Sequence, residues 1–155
     1  MENIDYLIVG GGIAGTTAAA TIRRQDKKGS ISIVSDEPYR LYSRILLSKP
    51  GFFLGKIPFD QIWLKTESWY QDNNINFISG KKAVKLAPEK KLVFLEGGEE
   101  LSYKKMLLAT GMSCRQIKIP GIEKFGALSL RTLDDAKNII RQVKKTKRAV
   151  IIGGG

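Results

Sequence analysis

Ile4-Asp5-Tyr6-Leu7-Ile8-Val9-Gly10-Gly11-Gly12-Ile13-Ala14-Gly15 decides the fold of this chain. The first half is a largely apolar run of strand length, and the second places glycines in a Gly-x-Gly-x-x-Gly spacing. The stretch that follows, from Ile13 to about Gln25, is amphipathic and rich in alanine, a good helix former. Glycine-rich strings are common, but one that leaves a strand and opens a helix has a specific use. Gly10 permits the tight turn, Gly12 leaves room for a pyrophosphate beside the backbone, and Gly15 lets the helix pack closely on the strand. Ile13 and Ala14 then belong to a helix N-terminus whose free N–H groups and positive dipole end favour phosphate.

Outward from this turn, Arg23, Arg24, Lys27 and Lys28 complement a helix C-terminus, Gly29 is a candidate stop, and Ile31 to Ser35 supplies a second strand. A parallel βαβ unit with a right-handed crossover is predicted. A carboxylate after the second strand is expected to accept hydrogen bonds from adenosine ribose hydroxyls, and Asp36 and Glu37 are the candidates. The same carboxylates would repel a 2′-phosphate.

From Asp36 to Pro58 periodicity is lost, which predicts a long loop with one helical turn near Tyr42 to Leu47. Thr66 is placed to cap a short helix running to about Asn73, and Ile75 to Ser79 reads as a strand. Lys82–Leu86, Leu92–Leu95 and Glu100–Tyr103 alternate as an antiparallel meander with a turn at Gly97-Gly98, and Lys105–Thr110 reads as a separate buried strand ending at Gly111. Thr132 should cap a helix with Leu133, Ala136, Ile139, Ile140 and Val143 on one face. Arg148–Ile152 is predicted to be a strand running into Gly153-Gly154-Gly155, which repeats Ile8-Val9-Gly10-Gly11-Gly12. The expected fold class is therefore α/β: a Rossmann-like βαβ domain with a central parallel sheet and an inserted antiparallel β-meander. Residues 1–115 form the first segment of that domain, 116–147 a connection with a helix, and 148–155 the opening of a second dinucleotide fold cut short.

At 155 residues the chain suits one main domain. Apolar runs are only strand-length, and Met1 to Asp5 lacks the basic and apolar regions of a signal peptide, so a soluble cytoplasmic protein without membrane attachment is expected. The single cysteine, Cys114, excludes an intramolecular disulfide or a Cys-pair redox motif, and the absence of histidine removes the commonest metal ligand and acid/base. Lys and Arg outnumber Asp and Glu by 26 to 15, a formal charge of +11. These charges are scattered without an aromatic-studded stripe, which favours a solvated surface or an acidic protein partner over nucleic acid.

Taken in order, Val9–Gly15, Asp36-Glu37-Pro38, Tyr42–Lys49, Leu108–Gly111, Arg131-Thr132 with Asp135-Ala136, and Gly153–Gly155 resemble the FAD-dependent, NAD(P)H-using reductases of the glutathione-reductase fold. More narrowly they resemble the branch of rubredoxin reductases, ferredoxin reductases, apoptosis-inducing-factor-like proteins and the N-terminal part of assimilatory nitrite reductase. The resemblance covers essentially the whole chain. It implies FAD at the first turn, with Arg44 reaching the phosphates or adenosine side and Lys49 beside the isoalloxazine, where a cation stabilises anionic reduced flavin. It further implies backbone hydrogen bonds from Ala83 to adenine, close approach of Ala109, Thr110 and Gly111 to the cofactor, and an FAD contact by Arg115.

The loop after the second strand has no cysteine, so the dithiol relay of the disulfide reductases and the cysteine-sulfenic chemistry of NADH peroxidases are not expected. Cys114 reads as a small loop residue. The implied activity is transfer of electrons from NAD(P)H through FAD to an acidic metalloprotein such as rubredoxin or ferredoxin, with no acid, base or nucleophile supplied by the chain. Alternatives are the flavin module of a nitrite reductase large subunit, a flavin-binding redox sensor resembling apoptosis-inducing factor, or a first fold that holds NAD.

Overall fold

The computed structural model describes residues 3–115, 117–122, 126–145 and 148–152. The chain divides into two compact units, one of residues 1–42 and 63–112, the other of residues 43–62 and 113–155.

The first unit is built on the quoted stretch. Strand β1 (Asn3–Val9) leads through the glycines into helix α1 (Ile13–Gln25), whose buried residues Gly15, Thr16, Ala19 and Arg23 follow the helical repeat along one face. The helix stops earlier than Gly29. Asp26 ends it in an extended conformation, and its carboxylate accepts the backbone N–H groups of Lys28 and Gly29 at 2.9 and 2.8 Å. Gly29 serves close packing instead, since a Cβ there would lie 2.7 Å from the Tyr6 ring.

Strand β2 (Ile31–Val34) lies parallel to β1. Helix α3 (Glu67–Asp72) follows the excursion through the second unit, which contains α2 (Pro50–Phe53). Thr66 caps α3 by accepting the Trp69 N–H, and β3 (Ile75–Ile78) then pairs parallel with β2. The meander comprises β4 (Ala83–Ala87), β5 (Leu92–Leu95) and β6 (Glu100–Leu108), giving a six-stranded sheet in the order β3-β2-β1-β6-β5-β4.

Two predicted strands merge in β6. Residues 100–102 pair antiparallel with β5, while residues from Ser102 to Leu108 pair parallel with β1. The exposed Lys104-Lys105 pair interrupts the apolar pattern and suggests a break. Lys104 is accommodated because its ammonium meets the Asp5 carboxylate at 2.6 Å. The strand is also less buried than expected, with Leu107 and Leu108 exposed.

Alternation along β1 and β2 divides the core. Ile8, Ile31 and Ile33 join Ala19, Tyr70 and Ile75 on the side of α1 and α3. Leu7 and Val34 join Val93, Leu95 and Tyr103 on the other side. Each fully buried Leu or Ile among them stabilises the unit by roughly 1.5–3 kcal/mol.

The second unit is more structured than the predicted loop. It holds 3-10 turns at Arg44–Ser48 and Phe59–Ile62, helix α2 with proline at its first position, and helix α4 (Leu133–Val143). Phe52 is buried and meets Phe53 and Phe59 edge-on. Thr132 caps α4 as expected, and Asp135 completes a capping box by accepting the Thr132 N–H at 2.8 Å.

The strand predicted at Arg148–Ile152 does not form: no described segment pairs with it, and Val150 and Ile151 are exposed. Apolar alternation makes a strand only when a neighbour takes its backbone groups. Gly153–Gly155 lie outside the described residues. No helix among the described residues is long and apolar enough to cross a membrane.

Candidate dinucleotide site

Four glycines at the C-terminal end of β1 and the start of α1 are shaped for different reasons. Gly10 has φ 122°, a conformation L side chains rarely adopt, and a Cβ there would sit 2.1 Å from the Ala109 carbonyl oxygen. Its N–H donates to the Val34 carbonyl at 2.8 Å. A Cβ at Gly11 would meet Ser35 Cβ at 2.8 Å and the Phe77 ring at 3.0 Å, a restriction the fingerprint spacing does not reveal. Gly15 brings α1 onto the strand, since a Cβ would fall 2.0 Å from the Gly10 carbonyl oxygen.

Gly12 differs from all three. Its φ of −75° suits any residue, and nothing lies within 4 Å of where its Cβ would be. What glycine preserves there is open space at the start of α1. No side chain caps that helix start, and its first turn contains no acidic residue. The N–H groups of Ile13, Ala14 and Gly15 lie in the first turn, beyond the reach of intrahelical acceptors. An anion with two or more oxygens fits this arrangement. Thr16, wholly buried and not singled out by the fingerprint, donates its hydroxyl to the Gly11 carbonyl at 3.3 Å and braces the turn.

Among the remaining candidates of the first unit, backbone hydrogen bonds hold Ala109 beside the turn and tie the loop after β2 to the segment that leads into β4. Ala109 N–H donates to the Val9 carbonyl at 2.8 Å, which holds Ala109 and the exposed Thr110 and Gly111 beside the turn. Gly111 has φ 72°, a turn that favours glycine. Beyond β2, Asp36 is exposed, whereas the Glu37 carboxylate accepts the Tyr42 hydroxyl proton at 2.5 Å. The N–H groups of Gly80 and Lys81 donate to the Glu37 and Ser35 carbonyls, which ties the β2 loop to the segment entering Ala83. Ala83 is half-buried at the start of β4, where a register irregularity separates it from Lys85.

These loops lie at the C-terminal ends of β1, β2 and β6. Since β2 and β6 flank β1 on opposite sides, they surround the point where the strand order reverses, the usual place for a ligand in such sheets.

In the second unit, Arg44 donates from its guanidinium to the Arg131 carbonyl at 2.9 Å. Lys49 is exposed at the N-cap of α2, and Arg115 is exposed. Cys114 is half-buried, with its sulfur 4.0 Å from the Leu130 carbonyl oxygen.

Strong ionisation effects occur at the opposite end of β1. Hydrogen bonds from Lys104, then from Ser30, hold the Asp5 carboxyl down to about 2, and Asp5 in turn raises Lys104. The backbone N–H groups of Gly29 and Lys28, followed by the Tyr6 hydroxyl, lower Asp26. Asp5, Tyr6, Asp26, Lys28, Gly29 and Lys104 line a shallow cavity of about 340 Å³, in which both carboxylates are already engaged by neighbours.

The parallel strands, the glycine turn and the uncapped helix start define a dinucleotide-binding α/β fold. Residues 4–155 match the pyridine nucleotide-disulphide oxidoreductase family, and the chain belongs to it. It is 38% identical over 149 residues to a rubredoxin-NAD(+) reductase of Pseudomonas putida, covering 96% of this chain and 38% of that protein. A nitrite reductase (NAD(P)H) of Bacillus subtilis is 33% identical over 156 residues, covering the whole of this chain and 19% of the relative. The crystal structure of NADH:rubredoxin oxidoreductase from Clostridium acetobutylicum superposes with a TM-score of 0.86 at 34% identity, covering 99% of this chain and 39% of that one. The chain therefore spans less than two fifths of the length of these relatives.

Proposed function

We propose that this chain is the FAD-binding part of an NAD(P)H-dependent flavoprotein reductase whose electrons go to a small acidic metalloprotein such as rubredoxin or ferredoxin. The observation that carries the reading is Gly12: a glycine with ordinary dihedral angles, facing empty space at an uncapped helix start. Such a position is explained by a ligand's diphosphate rather than by the needs of the turn. Residues 1–115 provide the first segment of the flavin domain, 116–147 the connection, and 148–155 the opening of the nicotinamide domain.

Gly10, Gly12, Ile13, Ala14 and Gly15 receive the diphosphate. Asp36 and Glu37 accept from the adenosine ribose, and Ala83 offers backbone groups to adenine. Arg44 reaches the phosphates or adenosine side and Arg115 contacts FAD, while Ala109, Thr110 and Gly111 allow close approach. Lys49 stabilises negative charge on the isoalloxazine. Bound flavin supplies acceptance of two electrons and their release one at a time. The chain's own work is to bind, orient and tune, and cysteine-pair chemistry is absent from it because Cys114 stands alone.

The reductase names of the relatives support this reading, and the +11 charge supports an acidic partner reached by electrostatic steering. A cytoplasmic setting belongs to the same proposal. The test uses the full-length protein. A flavin absorption spectrum on purification and NAD(P)H-dependent reduction of rubredoxin, slowing as salt rises, are expected. A colourless protein that binds only nicotinamide dinucleotide would overturn the flavin assignment, and a rate indifferent to ionic strength would remove the acidic partner.

The nitrite reductase relative favours a second reading, the flavin module of a larger polypeptide that passes electrons to its own centres. NAD(P)H-dependent nitrite reduction by the full-length protein decides between them.

A further inference from the structure

We propose that Tyr42 is a positioning residue for the adenosine half of the cofactor, acting through Glu37. The proposal rests on the flavin-site reading and deepens it. Glu37 belongs to a loop, where a carboxylate ordinarily samples several rotamers. Here the Tyr42 hydroxyl donates to its Oε2 at 2.5 Å, a charge-assisted hydrogen bond.

Tyr42 itself is held firmly. It is 6% exposed, and its ring meets Tyr39 and Trp63 edge-on at centroid distances of 6.4 and 6.3 Å. Tyr42 and Trp63 pair as an isolated antiparallel bridge, and on the same two segments the Leu64 N–H donates to the Leu41 carbonyl at 3.0 Å. The Arg40 guanidinium lies 4.4 Å from the Trp63 ring centroid and pairs with Glu67 on α3. A buried ring, a backbone bridge and a stacked cation thus fix the phenol, and the phenol fixes the carboxylate.

A carboxylate carries two oxygens with about four lone-pair sites, so the bond from Tyr42 to Oε2 is compatible with acceptance from a vicinal diol, whose two hydroxyls need a carboxylate held in one orientation. The motif spacing identifies the acid; the aromatic bracket determines where it points.

The experiment is a double-mutant cycle on FAD binding to the full-length apoprotein, read by quenching of flavin fluorescence, with thermal unfolding of each apoprotein measured in parallel. Tyr42→Phe keeps the ring packing and removes only the donor. It is expected to weaken FAD binding about five- to tenfold, less than the direct loss of a hydrogen bond to a charged group, because the bond removed orients the carboxylate and does not itself reach the ligand. Glu37→Gln should weaken it at least as much, and the double variant should bind no worse than Glu37→Gln alone. If Tyr42→Phe weakens binding equally in both backgrounds, Tyr42 acts structurally and the proposal is overturned. If Glu37→Gln weakens binding and Tyr42→Phe does not, positioning fails while the carboxylate assignment stands. If Glu37→Gln leaves binding intact, the ribose role of Glu37 fails and the proposal with it.

Discussion

Gly12→Ala isolates ligand space from fold. The added methyl meets no atom within 4 Å, and the residue's φ of −75° is comfortable for alanine. The only penalty to the ligand-free protein is that alanine is a poorer N-cap than glycine, about 0.5–1 kcal/mol. For a domain of this size that shifts the melting temperature by roughly 1–4 °C. The cofactor suffers more. A methyl standing where phosphate oxygens approach the helix start forfeits at least two hydrogen bonds to charged groups, about 1.5–3 kcal/mol each. Their combined loss of about 3–6 kcal/mol corresponds to a 10²- to 10⁴-fold weaker affinity.

Gly15→Ala is the contrasting control. Its Cβ would lie 2.0 Å from the Gly10 carbonyl oxygen, so α1 must move off β1 at a cost of about 1–3 kcal/mol whether or not ligand is present. The assay is paired: thermal unfolding of the apoproteins by circular dichroism, and FAD titration by fluorescence. The reasoning is refuted if Gly12→Ala binds FAD like the wild type, or if its apoprotein is destabilised as much as that of Gly15→Ala.

Other substitutions examine supports farther from the turn. Arg23, 8% exposed, donates to the carbonyls of Asn73, Asp26 and Asn74, so Arg23→Ala should destabilise by about 2–4 kcal/mol, measured by urea unfolding. Thr132→Ala removes half of the α4 capping box and should cost about 1 kcal/mol, visible as faster amide exchange in the first turn of that helix. The Asp5 carboxyl is depressed to about 2 in the fold, against about 3.9 unfolded, so its contribution is complete above pH 4 and disappears as pH falls toward 2. Asp5→Asn should therefore flatten the acid limb of a stability–pH curve while mattering little to its shape above pH 5. Unchanged acid limbs in the two proteins would show that this ion pair does not couple to folding.

The limits of α1 are legible because its signals are local: glycines where the backbone turns, alanines where the helix runs, and arginines in its last turn. The two capped helices are legible for the same reason, since Thr66 and Thr132 each accept an N–H three residues ahead. Between Asp36 and Ile62 local signals are weaker. The 3-10 turns at Arg44–Ser48 and Phe59–Ile62 are too short to impose a 3.6-residue period, so the segment reads as a long loop with a single helical turn near Tyr42 to Leu47, where the first of them lies. Strand β6 is misread as two because its charged Lys104 is satisfied by Asp5, nearly the whole length of the unit away in sequence. At the site, Gly10, Gly12 and Gly15 follow from spacing, but the demand on Gly11 comes from Ser35 and Phe77, and no pattern announces that Tyr42 grips Glu37. Such contacts are set by tertiary packing, which periodicity does not encode.

The pairing of β1 with β6 also dictates a schedule. Asn3 lies opposite Ser102, so the two strands that flank the glycine turn are closed by a ladder between residues about 100 positions apart. At a synthesis rate of roughly 5–20 residues per second, β1 waits some 5–20 s on the ribosome before its partner exists. During that interval one edge of β1, with its backbone N–H and C=O groups unpaired, is open to any strand that meets it, and the glycine turn lacks the Ala109 wall that completes it. The nascent chain is therefore most vulnerable to mispairing before β6 is made, and the glycine turn is completed only with the last strand of this sheet.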